Sequence, residues 1–151
     1  MKTLREKIDT FLEPKKLIVA GASKNKNKFG NQIYKHLLEQ GFDTIPINPT
    51  ADEINGNKCY RSLNEIPEGY NRIYIVTKPV ETEKLLEQAI QKGIKNIWIQ
   101  QASQSKTIKE SDYGDDIELI MNECMFMHSG EVKSIHKFHR GLRKLFGSFP
   151  K

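Results

Sequence analysis

The chain has 151 residues, of which 37% are hydrophobic and 28% are charged, a composition typical of one soluble globular domain rather than two. No apolar run approaches the roughly 18 to 20 residues that cross a bilayer, and the charged N-terminal segment MKTLREKIDTFL lacks the apolar core of a signal peptide. The sequence therefore predicts a cytoplasmic protein. The net charge of +5 is confined to residues 130–151, which hold six Lys and Arg and one Glu. The rest of the chain is neutral, with 18 Lys and Arg and 18 Asp and Glu.

Strands and helices alternate along the predicted chain. Residues 2–12 read as a leading helix that stops before Pro14, because the residue before a proline disfavours helical backbone angles. Short β-branched runs, apolar enough to be buried on both faces, predict strands at 16–20, 43–47, 72–77, 96–100 and 117–122. Helical periodicity predicts helices at 30–40 and 80–92, each closed by a glycine.

Weaker patterns complete the list of elements. We expect a short helix within residues 104–113 and a short strand near Lys58 to Tyr60. Strands that alternate with helices imply crossover connections and a mainly parallel sheet. The prediction is one doubly wound α/β domain over residues 1–151, with about five strands and helices on both faces of the sheet.

The basic tail, residues 130–151, contains a predicted amphipathic helix at 133–146. Its apolar residues fall on one face: Ile135, Phe138, Leu142 and Leu145. We expect this face to dock on the domain and leave the lysines and arginines in water. Binding to a membrane, an acidic partner or nucleic acid is the alternative for such a helix.

The loop after the first predicted strand, VAGASKNKNKFG at residues 19–30, carries the clearest functional pattern. In doubly wound folds the ligand lies at the carboxyl ends of the strands, and the first strand normally borders that crevice. Gly21 lets the backbone approach a ligand, and the helix that begins near Gly30 directs its positive end there. Three lysines, Lys24, Lys26 and Lys28, add positive charge. The loop predicts an anionic, multiply phosphorylated ligand.

Two common phosphate ligands are disfavoured by what the loop lacks. A dinucleotide fingerprint would read GxGxxG with an acid about 20 residues later, whereas Gly21 and Gly30 are nine residues apart and the second strand ends in Ile47-Asn48-Pro49. The phosphate-binding loop of nucleotide hydrolases, GxxxxGK followed by Ser or Thr, does not occur. Neither NAD binding nor nucleotide hydrolysis is therefore supported.

Several short motifs together resemble a known family. They are GAS at 21–23, FG at 29–30, PINP at 46–49, ADEING at 51–56 and KP at 78–79. This combination resembles the small CoA-binding proteins related to the CoA-binding domain of succinyl-CoA synthetase alpha subunits, and the likeness extends from about Lys15 through the tail. The resemblance implies a Rossmann-like domain that binds coenzyme A or an acyl-CoA as a sensing, carrier or regulatory module, without ligase chemistry of its own.

The resemblance also implies which residues contact the ligand. Gly21, Ala22 and Ser23 would form the turn under the pyrophosphate, with Lys24, Lys26 and Lys28 near the phosphates and Phe29 and Gly30 at the start of the helix. Asn48 and Pro49 would border the adenosine. Lys78 and Pro79 would line the crevice, and Gln100 and Gln101 would stand at the tip of the next strand. Which lysine meets the 3′-phosphate stays open.

Other functions remain as alternatives. Cys124, His128, His136 and His139 include residue types that bind zinc, but their spacing matches no established finger, and we expect no metal. An enzyme acting on an acyl-CoA or nucleotide through Cys124 or a tail histidine is one alternative, and a redox-responsive regulator is another. No catalytic triad stands out, so we predict no catalytic residues and no DNA target, and we leave open a protein partner or a homo-oligomer.

Overall fold

The computed structural model describes residues 2–113 and 115–129. Its first helix, α1, spans Leu4–Leu12, and Thr3 and Glu6 close its N-terminus with reciprocal hydrogen bonds. The helix ends at Leu12 as expected, but the reason differs from the predicted one. Glu13, the residue before Pro14, keeps helical angles (φ −56°, ψ −45°). What stops the helix is the missing N–H of Pro14, which cannot continue the hydrogen-bond ladder.

Five strands form one parallel sheet. They are β1 (Lys16–Ala20), β2 (Asp43–Ile47), β5 (Arg72–Ile75), β6 (Asn96–Gln100) and β7 (Glu118–Glu123), in the spatial order β2-β1-β5-β6-β7. Two short strands, β3 (Glu53–Ile54) and β4 (Asn57–Lys58), form a separate antiparallel hairpin. The predicted doubly wound fold is confirmed, and the strand order reverses between β1 and β5.

Helices cover both faces of the sheet. Helix α2 (Phe29–Glu39) packs with α1 on one face, where the buried cluster includes Tyr34, Tyr74 and Trp98. Helix α3 (Pro79–Lys92) covers the opposite face, where Leu86 and Ala89 meet Ile73 and Ile97. Successive strand residues alternate between these two clusters, as the two-residue period of a strand requires. Trp98 is fully buried in the cluster on the α2 face.

The element boundaries lie within two residues of the predicted ones; β5, for example, ends at Ile75 rather than at residue 77. Three local features were predicted differently or not at all. Residues 104–113 form only a 3₁₀ turn, Glu110–Asp112, rather than a short α-helix. The predicted strand near Lys58 to Tyr60 is β4 followed by an isolated parallel bridge from Tyr60 to Ile47. Strand β7 contains one extra residue relative to β6, and Asn122 takes a left-handed conformation (φ 62°) at this bulge.

Residues 130–151, and with them the predicted tail helix, lie outside the described residues. No helix among residues 2–113 and 115–129 is long and apolar enough to span a membrane.

Candidate functional site

A cleft of about 1040 Å³ opens at the carboxyl edge of the sheet, where the strand order reverses. Ala20 of β1 pairs with Ile47 of β2 and with Ile75 of β5, so the loops that follow these three strands begin at the same level. The cleft is lined by Ala20, Gly21, Ser23, Lys28, Phe29, Gly30, Ile47, Asn48, Pro49, Thr50, Arg61, Ser62, Leu63, Val76, Thr77, Lys78, Pro79, Glu81, Lys84, Leu85, Gln88, Ala102 and Ser103. It occupies the place where doubly wound folds bind their ligands.

Two glycines allow the loop after β1 and the start of α2 to pack closely. Gly21 has φ +104°, and a Cβ there would lie 2.6 Å from the carbonyl oxygen of Val76. A Cβ on Gly30 would lie 2.2 Å from the carbonyl oxygen of Gly21. Neither position can accept a side chain without backbone movement. Gly21 and Gly30, nine residues apart, thus allow the close packing of loop and helix that the more closely spaced glycines of a dinucleotide fingerprint allow.

Two asparagine side chains hold the loop carbonyls from outside the loop. Asn31, buried in the first turn of α2, donates through Nδ2 to the carbonyl of Ser23 at 2.7 Å and to Oδ1 of Asn55 at 3.1 Å. Asn48 donates through Nδ2 to the carbonyl of Ala22 at 2.8 Å. The loop is therefore fastened to α2, to the end of β2 and to the β3–β4 hairpin. Such fastening preorganises a binding loop before the ligand arrives.

Positive charge and two helix N-termini meet at the cleft. Lys28 is the N-cap of α2 and Lys78 is the N-cap of α3, and neither side chain caps its helix. Helices prefer Ser, Thr, Asp or Asn at this position, and a cation near the positive end of a helix dipole is unfavourable. Lysine at these two N-cap positions is therefore unfavourable for the stability of both helices. The two lysines are suitable for holding an anion.

The structure brings most of the sequence-predicted residues together on this cleft: Gly21, Ser23, Lys28, Phe29, Gly30, Asn48, Pro49, Lys78 and Pro79. Ala22, in the same loop, is fully buried and does not line the cleft. Lys24 and Lys26 are exposed and do not line the cleft. Local hydrogen bonds from Asn25 N to Ser23 Oγ (3.1 Å) and from Asn27 N to Asn25 Oδ1 (2.9 Å) shape this outer part of the loop.

The two predicted glutamines also lie off the cleft. Gln100 is 1% exposed, and its Oε1 accepts hydrogen bonds from the Tyr74 hydroxyl (2.7 Å) and the Met125 amide (3.2 Å). Its side chain is therefore committed to the core on the α2 face. Gln101 begins the 3₁₀ turn Gln101–Ser103, of which Ala102 and Ser103 reach the cleft instead.

Sequence reasoning missed one wall of the cleft. Helix α3 contributes Glu81, Lys84, Leu85 and Gln88, which share one helix face by their spacing of three and four residues. That spacing was visible in the sequence once Lys78 and Pro79 were placed at the cleft. Arg61, Ser62 and Leu63 also line it, but no local pattern marks them, because the bridge between Ile47 and Tyr60 places this segment.

Among the described residues, Cys124 and His128, proposed for an alternative chemistry, do not line the cleft. Cys124 is buried, and burial raises the pKa of its thiol, which disfavours the reactive thiolate. Burial likewise raises the pKa of Cys59. His128 lies 3.1 Å from a carboxylate oxygen of Glu123. No group of three His, Cys, Asp or Glu residues in the described part of the chain could hold a metal ion. His136 and His139 lie outside that part.

The fold is a Rossmann-like α/β domain with a cleft at the point where its strand order reverses. The chain belongs to the CoA binding domain family, whose model matches residues 15–129.

Comparisons with individual proteins agree with this membership. The chain is 33% identical over 120 residues to an ADP-forming acetate–CoA ligase of Methanocaldococcus jannaschii, a match that covers 74% of this chain and 17% of the relative. It is also 33% identical to the alpha subunit of ADP-forming acetate–CoA ligase II of Pyrococcus furiosus, covering 68% and 23%. The chain thus spans less than a quarter of the length of these two ligases.

A solved structure matches over almost its whole length. This conserved hypothetical protein from Pyrococcus furiosus has a TM-score of 0.69 and 37% sequence identity to the chain. The match covers 74% of this chain and 97% of that one.

Proposed function

We propose that the chain binds coenzyme A or an acyl-CoA in the cleft between β1 and β5. The observation that carries the proposal is that two helix N-termini, each with a lysine at the N-cap position, meet at one cleft in a member of the CoA binding domain family. Coenzyme A is an extended, multiply phosphorylated ligand, and helix N-termini with nearby lysines bind phosphates through amide donors and charge.

The residues at the cleft fit such a ligand. Gly21, Ser23 and the first turn of α2 would hold the pyrophosphate, with Lys28 beside it. Lys78 and the start of α3 would face the same groups from the β5 side. Asn48 and Pro49 would border the adenosine. A cleft of about 1040 Å³ is at the upper end of the usual range for ligand sites, roughly 300 to 1,000 Å³, as an elongated ligand requires.

We further propose that this domain performs no ligase chemistry and acts as a sensing, carrier or regulatory module. It would act in the cytoplasm, with a protein partner or with a second copy of itself. None of the described residues that line the cleft is a histidine or a cysteine. The chain also matches less than a quarter of the acetate–CoA ligases. The observations favour a binding role over an enzyme or a redox-responsive regulator, because neither thiol lies on the cleft.

Native mass spectrometry of the protein purified from its expression host tests this function. We expect a fraction of the protein to carry a noncovalent adduct with the mass of CoA or of an acyl-CoA. Added CoA should convert the remaining protein to a one-to-one complex. The proposal fails if no adduct forms even at excess CoA.

A further inference from the structure

The cleft has a second cationic region apart from the loop after β1. Arg61 follows β4, and Lys84 lies in the second turn of α3. Tyr60 and Leu85, the residues next to them in the chain, pack against the buried cluster on the α3 face of the sheet, whereas Phe29 at the start of α2 belongs to the opposite cluster. Arg61 and Lys84 therefore stand on the α3 side of the cleft, away from the loop that contains Gly21.

Arg61 is held in place by its neighbours. Its Nε and Nη2 atoms donate to Oδ1 of Asp52 at 2.9 and 2.7 Å, and its amide donates to Oε2 of Glu65 at 2.9 Å. Within the described chain its Nη1 makes no hydrogen bond. A guanidinium presents five donors in a planar fork, so one side can bind a carboxylate while the other binds a phosphate. The Asp52 contact thus orients Arg61 without exhausting its donors.

Lys84 supplies the second charge. Its side chain is exposed and forms no salt bridge with any residue in the described part of the chain. Glu81, one turn earlier, is the one acidic residue among the described residues that line the cleft. Lys84 therefore presents its charge at the cleft without an acidic partner in contact among the described residues, whereas Asp52 pairs with Arg61.

We propose that Arg61 and Lys84 together bind the 3′-phosphate of the CoA ribose and so determine specificity for CoA. This assignment rests on the proposed function. CoA carries a phosphate monoester separate from its pyrophosphate, and a monoester holds about −1.5 to −2 charges at pH 7. Lys84 would supply balancing charge, and the guanidinium donors of Arg61 that Asp52 leaves free would supply hydrogen bonds to the phosphate. Lys24 and Lys26, the two outer lysines of the loop after β1, do not line the cleft and are not assigned this role.

The test is calorimetric titration of CoA and of 3′-dephospho-CoA against the wild type and an Arg61→Gln/Lys84→Gln variant. The wild type should bind CoA at least about tenfold more tightly than dephospho-CoA, as expected for charge-assisted hydrogen bonds to one phosphate. The variant should lose this preference by binding CoA at least about tenfold more weakly, while its affinity for dephospho-CoA stays within about twofold. Both side chains are exposed, so the fold should survive.

A matched control is Lys24→Gln/Lys26→Gln, which removes the same charge from outside the cleft. It should keep the preference for CoA. If the wild type binds CoA but the Arg61 and Lys84 variant loses affinity for both ligands equally, the assignment is overturned and the proposed function is not. If the wild type binds neither CoA nor dephospho-CoA, the proposed function is overturned as well.

Discussion

Replacing Gly30 with alanine tests how closely α2 packs on the loop after β1. In an ordinary helix this change stabilises by about 0.5 to 1 kcal/mol, because alanine is the better helix former. Here the new Cβ would lie 2.2 Å from the carbonyl oxygen of Gly21, whereas ordinary contacts begin at 3.4 Å. The loop and the helix must then separate by about 1.2 Å. We therefore expect the opposite sign.

The size of the effect follows from the cost of overpacking. Forced insertion of a methyl group into a packed site costs roughly 1 to 3 kcal/mol, which lowers the melting temperature by about 2 to 12 °C in a chain of this length. Urea unfolding at equilibrium measures the change directly. Lys35→Ala, at an exposed position of the same helix, is the control and should change stability by less than about 0.5 kcal/mol. A Gly30→Ala protein as stable as the wild type would refute the packing argument.

Three further predictions address the loop and the core. Asn48→Asp should weaken CoA binding measured by calorimetry at least about tenfold, because a carboxylate cannot donate to the carbonyl of Ala22 and adds negative charge beside the phosphates; unchanged affinity would contradict this. Lys28→Ala should weaken CoA binding more than the double change Lys24→Ala/Lys26→Ala, because only Lys28 of the three lines the cleft; the reverse order would show that the outer loop binds the phosphates. Burial lowers the pKa of His36 below its ordinary 6.5, so the unfolded chain binds protons more readily and stability should fall as the pH drops below about 6.5. His36→Leu should make urea unfolding less dependent on pH in that range, and an unchanged pH profile would assign the dependence to other groups.

The fold was predictable because local pattern and tertiary structure agree. The run KLIVA forms β1 over the predicted residues, and β6 forms over the whole of NIWIQ. Each run is short, contains β-branched residues and is bounded by turn residues. These local features are sufficient to predict a strand that is buried on both faces. Boundaries moved where tertiary contacts intervene, as in β7, where the bulge at Asn122 shifts the register.

The site was predictable where it depends on the backbone and less so where it depends on distant contacts. Gly21 and Gly30 lie on the cleft because the geometry of a strand, a turn and a helix places them there. The position of Gln100 could have been anticipated, since it shares a strand face with Trp98 and must point into the core. Arg61 could not, because only the bridge from Tyr60 to Ile47 brings its segment to the cleft.

Titration of CoA and of NAD into the wild-type protein tests the central claim most directly. Strand β2 ends at Ile47, and the next residue, Asn48, is not the acid that would hold the ribose hydroxyls of NAD. We predict one-to-one binding of CoA that weakens as salt is added, with NAD at least about tenfold weaker because it lacks the 3′-phosphate. Binding of NAD as tight as that of CoA, or no binding of CoA at all, would contradict the account.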